Sequence, residues 1–421
     1  MVVRSWNPSS HQRTMSDNSR MSLLKHAPRL AVDDAVRLAR EVYGLTGTAH
    51  PLPSERDQNF LLSCDTGRYV LKIANATESR AFLEAQNAAL AHVARSIGVC
   101  PEVFPAADGL EIVEIAPGVQ VRMVKWIDGV PLARVRAASP HLLEAFGRML
   151  GRVDASLTTF DHPAVHREFH WDLARAFQTA REWLPLVADV EWRRFVGSEI
   201  DGIEQRQASR LSALRRSVIH NDANDHNVLT GGGTDLFTRN QEIRGLIDFG
   251  DMVHTCTVAD PAVAIAYAVL DKPGPLRIAS DLLRGYQHSH PLDDDECAAL
   301  FDLVKLRLCL SACVAAHQQL ERPDDEYLAI SQAPIRRTLP ALSRIPAAFA
   351  EAVFRDACGM PASPHSHRVV TWLSSRAKEG VMLVGDTPVE ATRFRPLDLG
   401  VASPLISLDT SRRNLEVAAD E

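Results

Sequence analysis

Apolar residues recur at helical spacing from Ala31 to Tyr43 (Val32, Val36, Ala39, Val42, Tyr43), with Asp33 and Asp34 near the start, which predicts an amphipathic helix. A polar turn from Pro51 to Phe60 then feeds an apolar run, Phe60–Cys64. Asp65-Thr66-Gly67 has the composition of a hairpin turn, and Arg68–Ala74 that of the returning strand. Thr77–Ser96 predicts a helix with Thr77 as its N-cap, and the β-rich stretches Gly109–Ala116 and Val119–Ile127 flank Pro117-Gly118. Past Gly129 and Pro131 the pattern turns helical over His141–Ser156, Trp171–Ala188 and Glu191–Leu214. A short strand, Ser217–Ile219, a turn at Gly231–Gly233 and a strand at Ile243–Ile247 interrupt it. The helices Pro261–Leu270, Leu276–His288 and Asp294–Gln319 follow, with Asp260-Pro261 as a helix start.

This order predicts an α+β chain without internal repeats: a small β-rich lobe over residues 28–127 and a larger helical lobe over 128–350. The polar segment 1–27 is expected to be disordered, with Met15 and Met21 as alternative starts, and 351–421 forms an extension or linker. A length of 421 residues suits such a division, and 46% hydrophobic with 24% charged residues is a soluble globular composition. No apolar run is long enough to span a membrane, and the N-terminal segment lacks the apolar core of a secretory signal. Seven cysteines without paired spacing, Cys309 and Cys313 one helical turn apart among them, point to a reduced, cytoplasmic protein. A net charge of −7 and no long basic run argue against nucleic acid as the partner.

The chemistry concentrates in His220-x-Asp222-x-x-x-x-Asn227 and, beyond it, Ile247-Asp248-Phe249-Gly250. Phosphoryl transfer needs a carboxylate near the attacking hydroxyl, ligands for Mg²⁺ and a cation on the nucleotide phosphates. Asp222 suits the hydroxyl; the Asn227 amide oxygen and the Asp248 carboxylate suit the hard metal ion. Upstream, Lys72 lies in the apolar strand Leu71-Lys72-Ile73, where a lysine needs a partner; Glu84 on the next helix is the expected one, with Glu78 as its rival. Among weaker signals, Trp171 and Asp172 offer an aromatic face and a carboxylate for an ammonium group, against the plain alternative of a helix start. Asp251 and His254 follow Asp248 closely enough to reach a substrate or to stabilise the loop. His162, His166 and His170 recur every four residues, but no carboxylate or cysteine completes a metal set.

Together the strand lysine, the helix glutamate and the two aspartate motifs resemble the aminoglycoside phosphotransferase and choline kinase superfamily over residues 28–345. Pro51-Leu-Pro-Ser-x-x-Asp-Gln-Asn-Phe60, Glu84-Ala-Gln-Asn87 and Asp248-Phe-Gly-Asp251 are most similar to its hydroxylysine kinase group. The resemblance implies a bilobal protein-kinase-like fold, with Asp222 as catalytic base, Asn227 and Asp248 as Mg²⁺ ligands and Lys72 as the phosphate-binding lysine oriented by Glu84. It places Ser54, Gln58 and Asn59 in the turn covering the phosphates, and Met123, Val124, Lys125 and Trp126 in the hinge lining the base pocket. The donor is ATP or GTP, and no G-x-G-x-x-G loop is present. The implied acceptor is a small amine-bearing alcohol or hydroxy-amino acid, 5-hydroxylysine first. Homoserine, ethanolamine, choline, an aminoglycoside and a non-catalytic kinase-like binding module remain open alternatives. The tail from Cys358 to Glu421 resembles the connector of longer proteins that carry a class III aminotransferase-like module, which implies a functional link to a phospho-lyase of that kind. One departure stands out: Asn221 fills the place of a usual glycine, and Asn is the side chain that tolerates a left-handed backbone best.

Overall fold

The computed structural model describes residues 30–54, 56–235, 237–321, 331–362, 381–384 and 387–390, so the segment expected to be disordered lies outside the described residues. Helix α1 (Val32–Tyr43) precedes an antiparallel sheet of β1 (Gly47–Leu52), β2 (Gln58–Cys64), β3 (Gly67–Ile73), β4 (Val103–Phe104), β5 (Val113–Ala116) and β6 (Val119–Lys125), with α2 (Arg80–Ala94) between β3 and β4. The strand order is β1-β2-β3-β6-β4, with β5 also on β6. Strand periodicity sends Phe60, Leu62, Leu71, Ile73, Val121 and Met123 to one face, where they bury against Ala35, Ala39 and Tyr43 of α1. The same alternation puts Asn59, Lys72 and Arg122 on the opposite face, because they are direct cross-strand partners.

Three expectations need correction here. Pro51 and Leu52 end strand β1 rather than forming a turn; β1 is an edge strand, where a proline costs no ladder bond. Helix α2 starts at Arg80 with Ser79 as its cap, the Ser79 side chain accepting from the Phe82 N–H. The Thr77 N–H and hydroxyl instead both donate to Asn75 Oδ1. Trp171–Ala188 is not one helix: 3₁₀ turns at Leu173–Arg175 and Leu184–Leu186 flank the short α4 (Ala176–Trp183).

The helical part opens with strand β7 (Val130–Pro131) and α3 (Pro140–Leu157) and continues past α4 with α5 (Val190–Leu211), β8 (Arg216–Ile219), β9 (Val228–Gly231), β10 (Glu242–Leu246) and β11 (Val253–Cys256). Helices α6 (Ala259–Ala268), α7 (Pro275–Ser289), α8 (Asp294–Glu321), α9 (Gln332–Ser343) and α10 (Ala347–Ala357) complete it. The short hydrophobic run Val381–Val384 is β12, which pairs with β13 (Thr387–Glu390). The larger core cluster takes in Phe82, Ala85, Ala89 and Val93 of α2 as well as these helices, so α2 shares its core with the helical part.

Helices α3 and α7 cross at glycines. A Cβ on Gly147 would sit 1.8 Å from the Leu282 carbonyl oxygen, and one on Gly285 1.8 Å from that of Glu144. Beside this crossing, the Tyr286 hydroxyl donates to Asp154 Oδ2 at 2.6 Å. Asp154 is fully buried; burial, reinforced by the carboxylate of Asp260, lifts its proton affinity far above the usual range. Asp154 therefore binds its proton more tightly in the folded chain than in the unfolded one.

Two outcomes follow. Gly147→Ala or Gly285→Ala forces backbone apart rather than a side chain, so each is expected to destabilise by about 3 kcal/mol, the upper end for overpacking, read as a drop in Tm. A group whose proton is held more tightly in the folded state contributes stability at acidic pH that is lost as pH rises. Asn in place of Asp154 keeps an acceptor for the Tyr286 hydroxyl without titrating, so the Tm of Asp154→Asn should gain on wild type between pH 5 and pH 8; a pH-independent difference would contradict the assignment.

Candidate active site

The loop from His220 to Asn227 joins β8 to β9 without regular structure, so its polar groups are satisfied one by one. Both carboxylate oxygens of Asp260 accept main-chain bonds, from His220 N at 3.2 Å and Asn221 N at 2.7 Å. Asp260 is thus a loop anchor inside α6, not the helix cap expected of Asp260-Pro261. His220 Nδ1 accepts from the Asp222 N–H, so Nε2 donates to the Ile247 carbonyl; burial keeps the ring neutral by lowering its proton affinity. Asn221 has φ 65°, the left-handed conformation anticipated for it, and its Nδ2 donates to the Asp251 carbonyl.

This backbone delivers the Asp222 carboxylate to three side chains. Oδ1 accepts from Asn224 Nδ2 at 2.9 Å and Arg307 Nη2 at 3.1 Å, and Oδ2 accepts from Asn227 Nδ2 at 2.7 Å. Asn227 Nδ2 also donates to the Asp222 main-chain oxygen, which turns the Asn227 Oδ1 away from Asp222. Burial raises the proton affinity of Asp222 well above that of an ordinary carboxylate; the charge of Asp251 adds to this and Arg307 opposes it. Asp248, also at positive φ (67°), lies 3.2 Å from Lys72 Nζ, and the lysine ammonium holds it below the usual carboxylate range. Two carboxylates in one cleft are therefore driven in opposite directions.

Several expected residues go elsewhere. Glu84 does not meet Lys72: it is exposed on α2 and pairs with Arg80 one turn back at 2.9 Å. On that side of α2, Gln86 and Asn87 instead bind Arg122, the cross-strand neighbour of Lys72. Glu78 lies among Arg167 and Arg56. Gln58 is spent on the chain before α1, exchanging bonds with both Leu30 N and Leu30 O. Ser54 lies in the turn between β1 and β2, half-buried, while Asn59 is buried beside Lys72 with its Oδ1 unbonded. Met123 faces the α1 core, and the Lys125 N–H and Trp126 N–H are used by Glu102 O and Arg68 O. Of the hinge set, Val124 shares the face of Lys72, with Val70 as its cross-strand partner.

The substrate candidates divide similarly. Asp172 is buried, capping the Leu173–Arg175 turn through the Ala174 N–H and accepting from the Thr255 hydroxyl, so its plain structural role prevails. Asp251 is tied to Arg56 of the β1–β2 turn, bridging the sheet and the helical part. His254 packs tilted against His166, ring centroids 4.4 Å apart. Trp171 stays half-buried, with the Arg307 guanidinium over its ring at 4.2 Å. His162, His166 and His170 do not converge: His162 caps a turn, His166 binds Asp161, and burial takes His170 down to about 3.

Arg56, Arg167, Asp260 and Arg307 were not anticipated. Arg167 Nη2 donates to the Gly250 carbonyl at 2.9 Å, and its guanidinium lies over Phe82 at 3.7 Å and Phe169 at 4.3 Å. One signal was available for Arg307: a charged residue between Leu306 and Leu308 in a long apolar stretch of helix. For Arg56 and Arg167, both in polar loops, no local signal exists.

Residues 48–301 match the phosphotransferase enzyme family APH. The hydroxylysine kinase of Xenopus laevis is 30% identical over 348 residues, covering 75% of this chain and 91% of that protein. The homoserine kinase of Methylobacillus glycogenes is 27% identical over 247 residues, covering 57% and 70%. A microcompartment-associated aminopropanol kinase superposes with a TM-score of 0.58 at 19% identity, over 79% of this chain and 100% of that one. The antiparallel sheet with its helices and the helical part beyond it are therefore the two lobes of a kinase-like fold, and the chain belongs to the APH phosphotransferase enzyme family.

Proposed function

We propose that the chain transfers the γ-phosphoryl group of ATP or GTP to a hydroxyl of a small amine-bearing metabolite, 5-hydroxylysine foremost. The observation that carries this reading is the Asp222–Asn227 pair set beside Lys72–Asp248, with the Ile247 N–H donating to the Asn227 carbonyl. Asp222 orients the acceptor hydroxyl; as the new O–P bond forms and the bond from the γ-phosphorus to the nucleotide's bridging oxygen breaks, the hydroxyl proton passes to Asp222. Its raised proton affinity suits a group that takes a proton late. Lys72 holds the phosphates, and Val70 and Val124 on the same sheet face flank the base.

The donor set fits Mg²⁺. Asp248 supplies an anionic oxygen kept ionised by Lys72, and Asn227 a neutral oxygen held clear of Asp222. When bound there, the ion neutralises charge on the phosphates. Among the described residues no helix is long and apolar enough to cross a membrane. The similarity to hydroxylysine kinase over most of that protein's length supports 5-hydroxylysine over homoserine, ethanolamine, choline or an aminoglycoside. The proposal extends to a phospho-lyase of the class III aminotransferase type that would consume the O-phosphorylated product. The intact set of Lys72, Asp222, Asn227 and Asp248 speaks against a non-catalytic module.

A nucleotide-consumption screen with Mg²⁺, both nucleotides and these acceptors should give the highest kcat/KM with 5-hydroxylysine; a preference for another acceptor would reassign the substrate. Nucleotide with Mg²⁺ should raise Tm, and no shift with either nucleotide would favour the binding module. Asp222→Ala should lower kcat by about 10³-fold while nucleotide affinity stays near wild type; unchanged turnover would remove Asp222 from its role. Asn221→Val should cost far more activity than Asn221→Gly, because a β-branched residue resists φ 65°; equal effects would contradict the loop account.

A further inference from the structure

Arg307 lies in the middle of α8 and is 1% exposed. Burying a guanidinium is expensive unless it is paired and hydrogen-bonded. Its carboxylate partner is Asp222, and its Nη1 donates to the Trp171 carbonyl at 3.3 Å. The planar group is stacked on Trp171, with the Tyr267 ring 5.6 Å away, so it cannot swing without breaking both contacts. Leu306 and Leu308, both fully buried, lock the helix around it.

The lone pairs of Asp222 make the consequence specific. An ionised carboxylate has about four acceptor directions. Asn224 and Arg307 use two on Oδ1, and Asn227 uses one on Oδ2. One direction on Oδ2 remains. We propose that Arg307 is a positioning residue for phosphoryl transfer: it fixes the Asp222 carboxylate so that only this Oδ2 direction meets the acceptor hydroxyl, and it holds Trp171 as a wall beside the acceptor. The role rests on the kinase reading above. A lysine supplies a compact point charge and no flat face, so it satisfies Asp222 without holding Trp171.

The test compares wild type, Arg307→Lys, Arg307→Met, Asp222→Asn and the Asp222→Asn/Arg307→Met double variant as full chains. The acceptor is whichever one the wild type phosphorylates, and KM for nucleotide and kcat are read separately. Arg307→Met should lower kcat by about 10²-fold with KM for nucleotide within about twofold, and Arg307→Lys should recover about tenfold of that loss. In the Asp222→Asn background the Arg307→Met change should cost only the about tenfold that runs through Trp171, because the rest of its effect runs through the missing carboxylate. A lowered Tm with unchanged kcat, or losses that add in the double variant, would overturn the role. Should Arg307→Met fail to fold, the kcat of Arg307→Lys decides, and a wild-type value there also overturns it. A wild type that phosphorylates no acceptor sinks the kinase reading and this role with it, whereas an active wild type and an equally active Arg307→Met sink this role alone.

Discussion

The clamp of Asp260 on the main chain of His220 and Asn221 is the constraint on which the site depends. A loop that leaves a strand without entering a helix has no ladder to satisfy its amides. By taking two successive N–H groups on one carboxylate, Asp260 bends the backbone at Asn221 into the left-handed region. That bend turns Asp222 toward Asn227 and Arg307 instead of along the strand. The carboxylate of Asp260 acts on the buried Asp154, which Tyr286 holds next to the glycine crossing of α3 and α7. The packing of α3 on α7 and the aim of the Asp222 carboxylate are therefore parts of one buried polar network.

A second feature is how the sheet and the helical part communicate. Lys72 reaches Asp248, Arg56 reaches Asp251, and Arg167 reaches Gly250, so three cations converge on the segment after β10. Each is a charge-assisted contact in a partly dehydrated cleft, where such bonds are stronger than at an open surface. Cations gathered beside Asp248 suit the proposed site for a polyanionic nucleotide.

Much of this was legible in the sequence where local chemistry decides. The Asp222, Asn227 and Asp248 motifs flanked by strands, Lys72 in an apolar strand and the tolerance of Asn221 for positive φ all follow from residue type and spacing. What failed depends on facing and partner choice. Glu84 sits at a plausible spacing, yet the turn of α2 points it to solvent and Arg80. Gln58 is next to Asn59, but strand alternation puts the two amides on opposite faces. Asp172 was equally good as a ligand and as a cap, and only its burial beside Thr255 distinguishes them. Arg307 meets Asp222 from far along the chain, a distance that no local pattern encodes.

The central claim is that the Asp222 cleft passes a phosphoryl group to a hydroxyl. Phosphorus-31 magnetic resonance of a reaction holding the full chain, Mg²⁺, nucleotide and 5-hydroxylysine tests it most directly. The account predicts a phosphomonoester resonance growing as the γ-phosphate signal of the nucleotide declines, and none with Asp222→Ala. Release of inorganic phosphate alone, or a monoester formed equally well by the variant, would contradict it.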